Sequence, residues 1–352
     1  MSLVKDNLGT IVTMVIGLAL MFGLPMTLDM FAIMQLTLYV VLSIFAVSLA
    51  YIWGYGGIFC FGQAAFFGLG GYVFAVSGIN LGDTTIPFLL SIIVPALFAA
   101  ALGYFMFYGR LTDVYMGVVT LVVSLIMFKL INHTAGPEYT IGNARLGGFN
   151  GMPDVPVLNY PFEPGEFMDP VHIFYFAMGL LLAVYLGLKL LQRTKFGRVT
   201  VAIRENETRA QLLGYDVRLH KVLVFSIGGA IAGMGGGLYS TYQAFIDPNA
   251  FALVMSAQAL IWVMVGGLGT LVGPVIACCV LQYLTVWLGS VEIANNNFVL
   301  GVILIVAVLV LPRGLLPSLQ DYGLMLWHRI RPKPNGSAAM ADAAATRAGA
   351  GE

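Results

Sequence analysis

Charge is what this chain lacks most: only 10% of its 352 residues are Asp, Glu, Lys or Arg, against about 25% in an average soluble domain. That deficit excludes an ordinary soluble globule. Lys and Arg number 17, as do Asp and Glu, so no global field draws the chain to nucleic acid. The three cysteines, Cys60, Cys278 and Cys279, lie in apolar runs without CxxC spacing, which suits small core residues rather than metal ligands or disulfide partners. The histidines, His133, His172, His220 and His328, stand in loops or at the edges of apolar runs, and no two have metal-ligand spacing. No GxxxxGK[ST] phosphate loop occurs, so the chain cannot hydrolyse ATP in the P-loop manner. No nucleophile stands beside an evident base, and no series of Asp or Glu runs through the apolar segments. The chain therefore reads as non-enzymatic and without a cofactor of its own, and ion-coupled transport is disfavoured.

What is present is apolar: 59% of residues are hydrophobic, and the mean hydropathy is +0.89. About 20 apolar residues cross a bilayer core as a helix. Segments of that kind number ten: Gly9 to Thr27, Phe31 to Ile52, Phe59 to Ser77, Ile86 to Tyr108, Val114 to Ile131, Val171 to Leu190, Val222 to Tyr242, Val254 to Val265, Leu271 to Gly289 and Asn297 to Leu311. The expected fold is an all-α, polytopic transmembrane bundle. The third segment is glycine-rich, and the eighth is short enough to be tilted or re-entrant. The first segment lacks a small-residue cleavage pattern after it and is read as a retained helix.

The scarce cations are unevenly placed. Lys189 to Lys221 holds eight of them: Lys189, Arg193, Lys195, Arg198, Arg204, Arg209, Arg218 and Lys221. Lys and Arg are retained on the cytoplasmic side. Alternating sides from this loop places both termini in the cytoplasm, residues 1–8 at one end and Arg313, Arg329, Arg331 and Lys333 at the other, together with Arg110. The transmembrane domain then spans 9–318, with a cytoplasmic loop at 189–221 and a long loop at 133–169 on the opposite face, whose Gly, Pro and Asn content favours an ordered but irregular cap. Residues 319–334, with Tyr322 and Trp327, read as an interfacial amphipathic segment, and 335–352 as a disordered Ala- and Gly-rich tail.

Within the basic loop, Glu205 to Leu213 can form a short charged helix stopped by Gly214 in the left-handed conformation. Such a helix suits either a docking lever for a cytosolic partner or a solvated topological loop. Among polar residues inside the spans, Gln63 and Thr120 are the candidates for a solute path, with Phe66 and Phe67 beside them, because a small polar group among aromatics and glycines suits a small neutral or zwitterionic solute. Helix packing explains the same four residues equally well. Gly54 to Tyr72 and Gly266 to Ala277 share a small-residue texture that an internal duplication would produce.

The stretch GRVTVAIRENETRAQLLGYDVRLHKVLVFSIGGAIAGMGGGLYS resembles the permeases of the hydrophobic amino acid and amide family of ABC importers. WGYGGIFCFGQAAFFGLGGY, VYMGVVTLVVSL, MVGGLGTLVGPVIA and LGVILIVAVLVLPRGLLP carry the same resemblance, in family order, over Leu38 to Pro317. The chain is most similar to the second permease type, which has a long outer loop between the fifth and sixth spans. The resemblance implies a bacterial inner-membrane importer of branched-chain amino acids, or of urea or short amides. Its partners would be a second homologous permease, two cytosolic ATPase subunits that hold ATP and Mg, a periplasmic substrate-binding protein, and membrane lipid. It also implies that Arg204, Glu205, Asn206, Glu207, Arg209, Ala210 and Gly214 form the ATPase-coupling segment. Arg209 stands where the family often has alanine, Glu207 precedes Gly214 by one residue more than usual, and Gln63 stands where many relatives have histidine. A secondary transporter or channel working without an ATPase is the rival of another class.

Overall fold

The computed structural model describes residues 2–160, 165–290 and 301 and is built almost wholly of helices. In chain order these are α1 (Ser2–Thr27), α2 (Met30–Gly54), α3 (Gln63–Leu81), α4 (Thr85–Tyr108), α5 (Asp113–Asn132), α6 (Pro170–Arg193), α7 (Lys195–Glu205), α8 (Glu207–Leu212), α9 (Val217–Gln243), α10 (Leu253–Gly266) and α11 (Val272–Ser290). Among the described residues, eight of them are long and apolar enough to cross a membrane: α1 to α6, α9 and α11. Ten spans were expected. The eighth segment, read as tilted or re-entrant, is the 14-residue α10, about 21 Å at 1.5 Å per residue and too short to span, and the segment Asn297 to Leu311, residue 301 apart, lies with 319–334 and 335–352 outside the described residues.

The bundle is organised around α9, which packs most extensively on α4, α3 and α2. Its SIGGAIAGMGGGLYS run makes this possible, because lipid offers no hydrophobic drive between helices and close backbone packing must supply the attraction. Gly70 of α3 meets Gly233 of α9 so closely that a Cβ on Gly70 would lie 2.2 Å from the Gly233 carbonyl oxygen. Large side chains fill the space around this contact. Phe67 lies against Phe45 of α2 with ring centroids 4.6 Å apart, and Phe66 meets Phe225 of α9 edge-on at 5.3 Å. The opposite faces of α1, α4 and α5 expose Ile16, Phe22, Ile93, Leu97, Val118 and Val122, as hydrocarbon contact requires.

The α4–α5 turn, α7, α8 and the start of α9 gather at one end, called here the basic end. At the other end the 133–169 segment forms an ordered cap. A short antiparallel pair, β1 (Thr140–Ile141) and β2 (Ala144–Arg145), is pinned by Asn80, which donates to Ile141 O at 2.8 Å and accepts from Asn143 N at 2.7 Å. Met152 pairs with Ile246 beyond α9. Asn159 accepts from Thr84 N at 3.0 Å and donates through Nδ2 to Asp83, a bond that, with one from the Thr85 amide, holds the Asp83 carboxyl below its ordinary range.

Candidate functional site

Two breaks in helical backbone lie at membrane depth. After α2 ends at Gly54, residues 55–62 run non-helically back into the bundle before α3 starts at Gln63. The boundary expected at Phe59 thus falls four residues later, since Phe59, Cys60 and Phe61 are apolar without being helical. The depth follows from α5: Phe61 N donates to Thr120 Oγ1 at 3.2 Å, and Thr120 is seven residues into α5, about 10 Å from its start. The second break precedes α10. Phe251 O accepts from Ser124 Oγ at 2.8 Å, four residues deeper along α5. The two breaks meet where Ala64 N donates to Ser256 Oγ at 3.1 Å, so a serine of α10 caps the uncapped start of α3.

Non-helical backbone is tolerated in a membrane only when protein groups satisfy it. Here three hydroxyls do so, Thr120 and Ser124 from α5 and Ser256 from α10. Each carries a backbone group whose burial without a partner would cost about 1–3 kcal/mol. Gly62, which precedes α3, passes against α5 at a distance that admits no side chain: a Cβ there would lie 1.8 Å from Thr120 O. Thr120 therefore has a defined structural task, 1% exposed, in addition to any contact with a solute.

The other candidate path residues are buried as well. Gln63, Phe66 and Phe67 are each 0% exposed and look toward different neighbours. Phe66 faces α4 and α9, Phe67 faces α2 and α9, and Gln63 donates from Nε2 to Ser48 Oγ at 2.8 Å. Gln63 Oε1 has no hydrogen-bond partner. The junction is thus closed in this conformation, with one carboxamide oxygen unsatisfied at its edge.

At the basic end, the expected single helix is two. Thr194 caps α7 by accepting from Gly197 N at 3.3 Å, Asn206 breaks the chain and caps α8 by accepting from Arg209 N at 2.9 Å, and Asp216 caps α9 by accepting from Leu219 N at 3.1 Å. Val199, Ile203, Ala210 and Val217 form a small apolar core of their own beneath this unit. Sequence reading missed α7 because its residues are too polar to register as a span, although its apolar residues recur at helical spacing. Gly214 stops α8 with φ +86°, as expected.

The seven coupling candidates divide by direction. Ala210 is buried, Glu207 pairs with Lys221 of α9, and Arg209 is exposed. Arg204 turns inward: Nη1 donates to Gly54 O, Nη2 pairs with Glu205 at 2.7 Å, and its stem lies against Gly57, φ +67°. Gly54 in turn abuts Gly269 in the α10–α11 turn. One guanidinium thus touches the start of the segment that leads, nine residues on, to Gln63. On the outer side of α8, Leu212 and Leu213 are 83% and 75% exposed, a pair the sequence reading passed over.

Residues 31–308 match the family model described as the branched-chain amino acid transport system permease component. The chain is 27% identical over 303 residues to the high-affinity branched-chain amino acid transport system permease protein LivM of Escherichia coli, covering 80% of this chain and 69% of that protein. It is 27% identical over 296 residues to the probable branched-chain amino acid transport permease protein LivM of Methanocaldococcus jannaschii, covering 74% and 81%, and 31% identical over 144 residues to the LivH permease protein of that organism, covering 39% and 44%. No solved structure matches the chain. Matched over most of its length, and built of long apolar helices, the chain belongs to the family of permease components of branched-chain amino acid transport systems, as a multi-pass protein of the inner membrane.

Proposed function

We propose that this chain is one permease of an ATP-driven, binding-protein-dependent importer of branched-chain and other hydrophobic amino acids. The basic end faces the cytosol, as its Lys and Arg content favours. Two cytosolic ATPase subunits supply ATP and Mg, a second homologous permease completes the membrane unit, and a periplasmic binding protein delivers the solute to the cap formed by 133–169. The observation that carries the reading is α8: a charged helix beyond the span ends that presents two exposed leucines outward while its neighbour Arg204 reaches inward to Gly54.

Solvent-exposed leucines on a polar helix mark a partner surface. In this reading Leu212, Leu213 and Arg209 seat in the ATPase, whose closure on ATP displaces α7 and α8. Arg204 carries that displacement to residues 54–57, and segment 55–62 carries it to the junction of α3 and α10. Burial of a leucine contributes about 1.5–3 kcal/mol, so replacing both by serine weakens docking by roughly 100-fold or more. In the co-expressed transporter, Leu212→Ser/Leu213→Ser is expected to abolish ATPase co-purification and ATP-dependent uptake with this chain at normal abundance. Unchanged uptake contradicts the docking assignment, and uptake by this chain alone in liposomes favours the ATPase-independent rival.

A further inference from the structure

We propose that the groove between the α4–α5 turn and the start of α9 binds the headgroup of an anionic phospholipid in the leaflet at the basic end. The groove encloses about 400 Å³ and is lined by Arg110, Arg218, Lys221, Glu207, Phe107 and Met116, among others. Lys221 is paired with Glu207. Among the described residues neither Arg110 nor Arg218 has a carboxylate within ion-pair distance. Arg218 lies over the ring of Tyr108 at 5.7 Å, a contact that orients the guanidinium without neutralising it. The groove therefore carries two uncompensated positive charges.

Its position selects the ligand. The groove sits where α4 ends at Tyr108, α5 begins at Asp113 and α9 begins at Val217, the boundary between the spans and the polar end. Directly along α4 and α5 from it, Tyr104, Phe105, Val114 and Tyr115 are 61%, 67%, 75% and 63% exposed. A cationic pocket continuous with an exposed apolar and aromatic face matches an amphiphile, with phosphate on the guanidiniums and acyl chains along the helices. Because these faces of α4 and α5 meet hydrocarbon, the groove lies at headgroup level beside lipid chains, where a phospholipid is the anion at hand. Guanidinium groups bind phosphate oxygens through paired N–H donors, and cationic pockets at span ends attract anionic headgroups in the same way.

The test uses the full chain in nanodiscs of phosphatidylcholine with a minor fraction of labelled phosphatidylglycerol, and native mass spectrometry to count retained lipid. Wild-type chain is expected to retain phosphatidylglycerol in preference to phosphatidylcholine. Arg110→Gln/Arg218→Gln should lower that retention by roughly 30-fold, two headgroup contacts at the strength typical of juxtamembrane cations. Arg110→Lys/Arg218→Lys, which keeps both charges, should retain most of it. Absence of a preference in the wild type overturns the proposal, as does equal retention by the glutamine variant. Displacement by excess inorganic phosphate would assign the groove to a soluble anion, and loss of retention once partner subunits are bound would assign it to a protein; either result also overturns the proposal.

Discussion

Arg204→Met is expected to cut ATP-dependent uptake by at least about tenfold while leaving the transporter assembled and its ATPase active. Methionine keeps an unbranched apolar stem against Gly57 but removes the donor to Gly54 O. A hydrogen bond from a charged group contributes about 1.5–3 kcal/mol when sheltered. Arg204 is about one-third exposed, its side chain at 35%, so the lower end applies, which is a factor of roughly ten in any equilibrium the bond controls. The effect falls on transmission because Arg204 does not share the outward direction of Leu212 and Leu213. Paired measurements of ATP hydrolysis and solute uptake separate the two roles: loss of both would move Arg204 to the ATPase surface, and loss of uptake alone fits an inward latch. Arg204→Lys retains the charge and should keep part of the uptake, since an ammonium on a shorter reach can still find the carbonyl.

The largest effect on stability is expected at Gly62. A Cβ there meets the Thr120 oxygen at 1.8 Å and its carbon at 2.3 Å, both backbone atoms, so no rotamer change relieves the clash. Gly62→Ala must push α5 from α3, breaking the Phe61 N–Thr120 Oγ1 bond and loosening the one from Ala64 to Ser256. Overpacking together with two exposed backbone donors costs more than about 3 kcal/mol, a fall of roughly 10 °C in the unfolding midpoint or loss of monodisperse protein. Gly187→Ala in α6 is the control, since nothing lies within 4 Å of a Cβ there and a helical alanine is slightly favoured over glycine. A stable Gly62→Ala variant would mean that the close approach of α3 and α5 is not required.

Hydropathy made the long spans legible because each commits some 20 consecutive residues to one environment. It was blind to the breaks. Phe59, Cys60 and Phe61 score as membrane residues whether or not their backbone is helical, and only Thr120 and Ser256, distant in sequence, supply the missing partners. The eighth segment was legible by its shortness as tilted or re-entrant, but hydropathy could not say that it is α10, starting at mid-depth. Positive charge located the basic end, and Gly214 marked the stop of α8 correctly, since a terminator is a local property. Arg204 and Glu207 were read as one contact surface, yet they diverge within a single turn, toward Gly54 and toward Lys221. No spacing rule separates them; the packing of α7 on α6 and α9, which aims Arg204 at Gly54, and of α8 on α9 does. Leu212 and Leu213 carried a readable signal, two adjacent leucines in a charged stretch, which was absorbed into the resemblance of the whole segment.

In the proposed cycle, displacement of α7 and α8 reaches the α3–α10 junction through residues 54–62. Cys60 lies within that segment and is 0% exposed, so its thiol reports on the segment directly. In the assembled transporter carrying Cys278→Ser and Cys279→Ser, labelling of Cys60 by a small membrane-permeant maleimide should be slow at rest. It should accelerate by at least about tenfold when ATP is added, and in the Arg204→Met variant it should no longer respond to ATP. Labelling of Cys60 that is indifferent to ATP in the wild-type transporter would show that residues 54–62 do not carry the displacement.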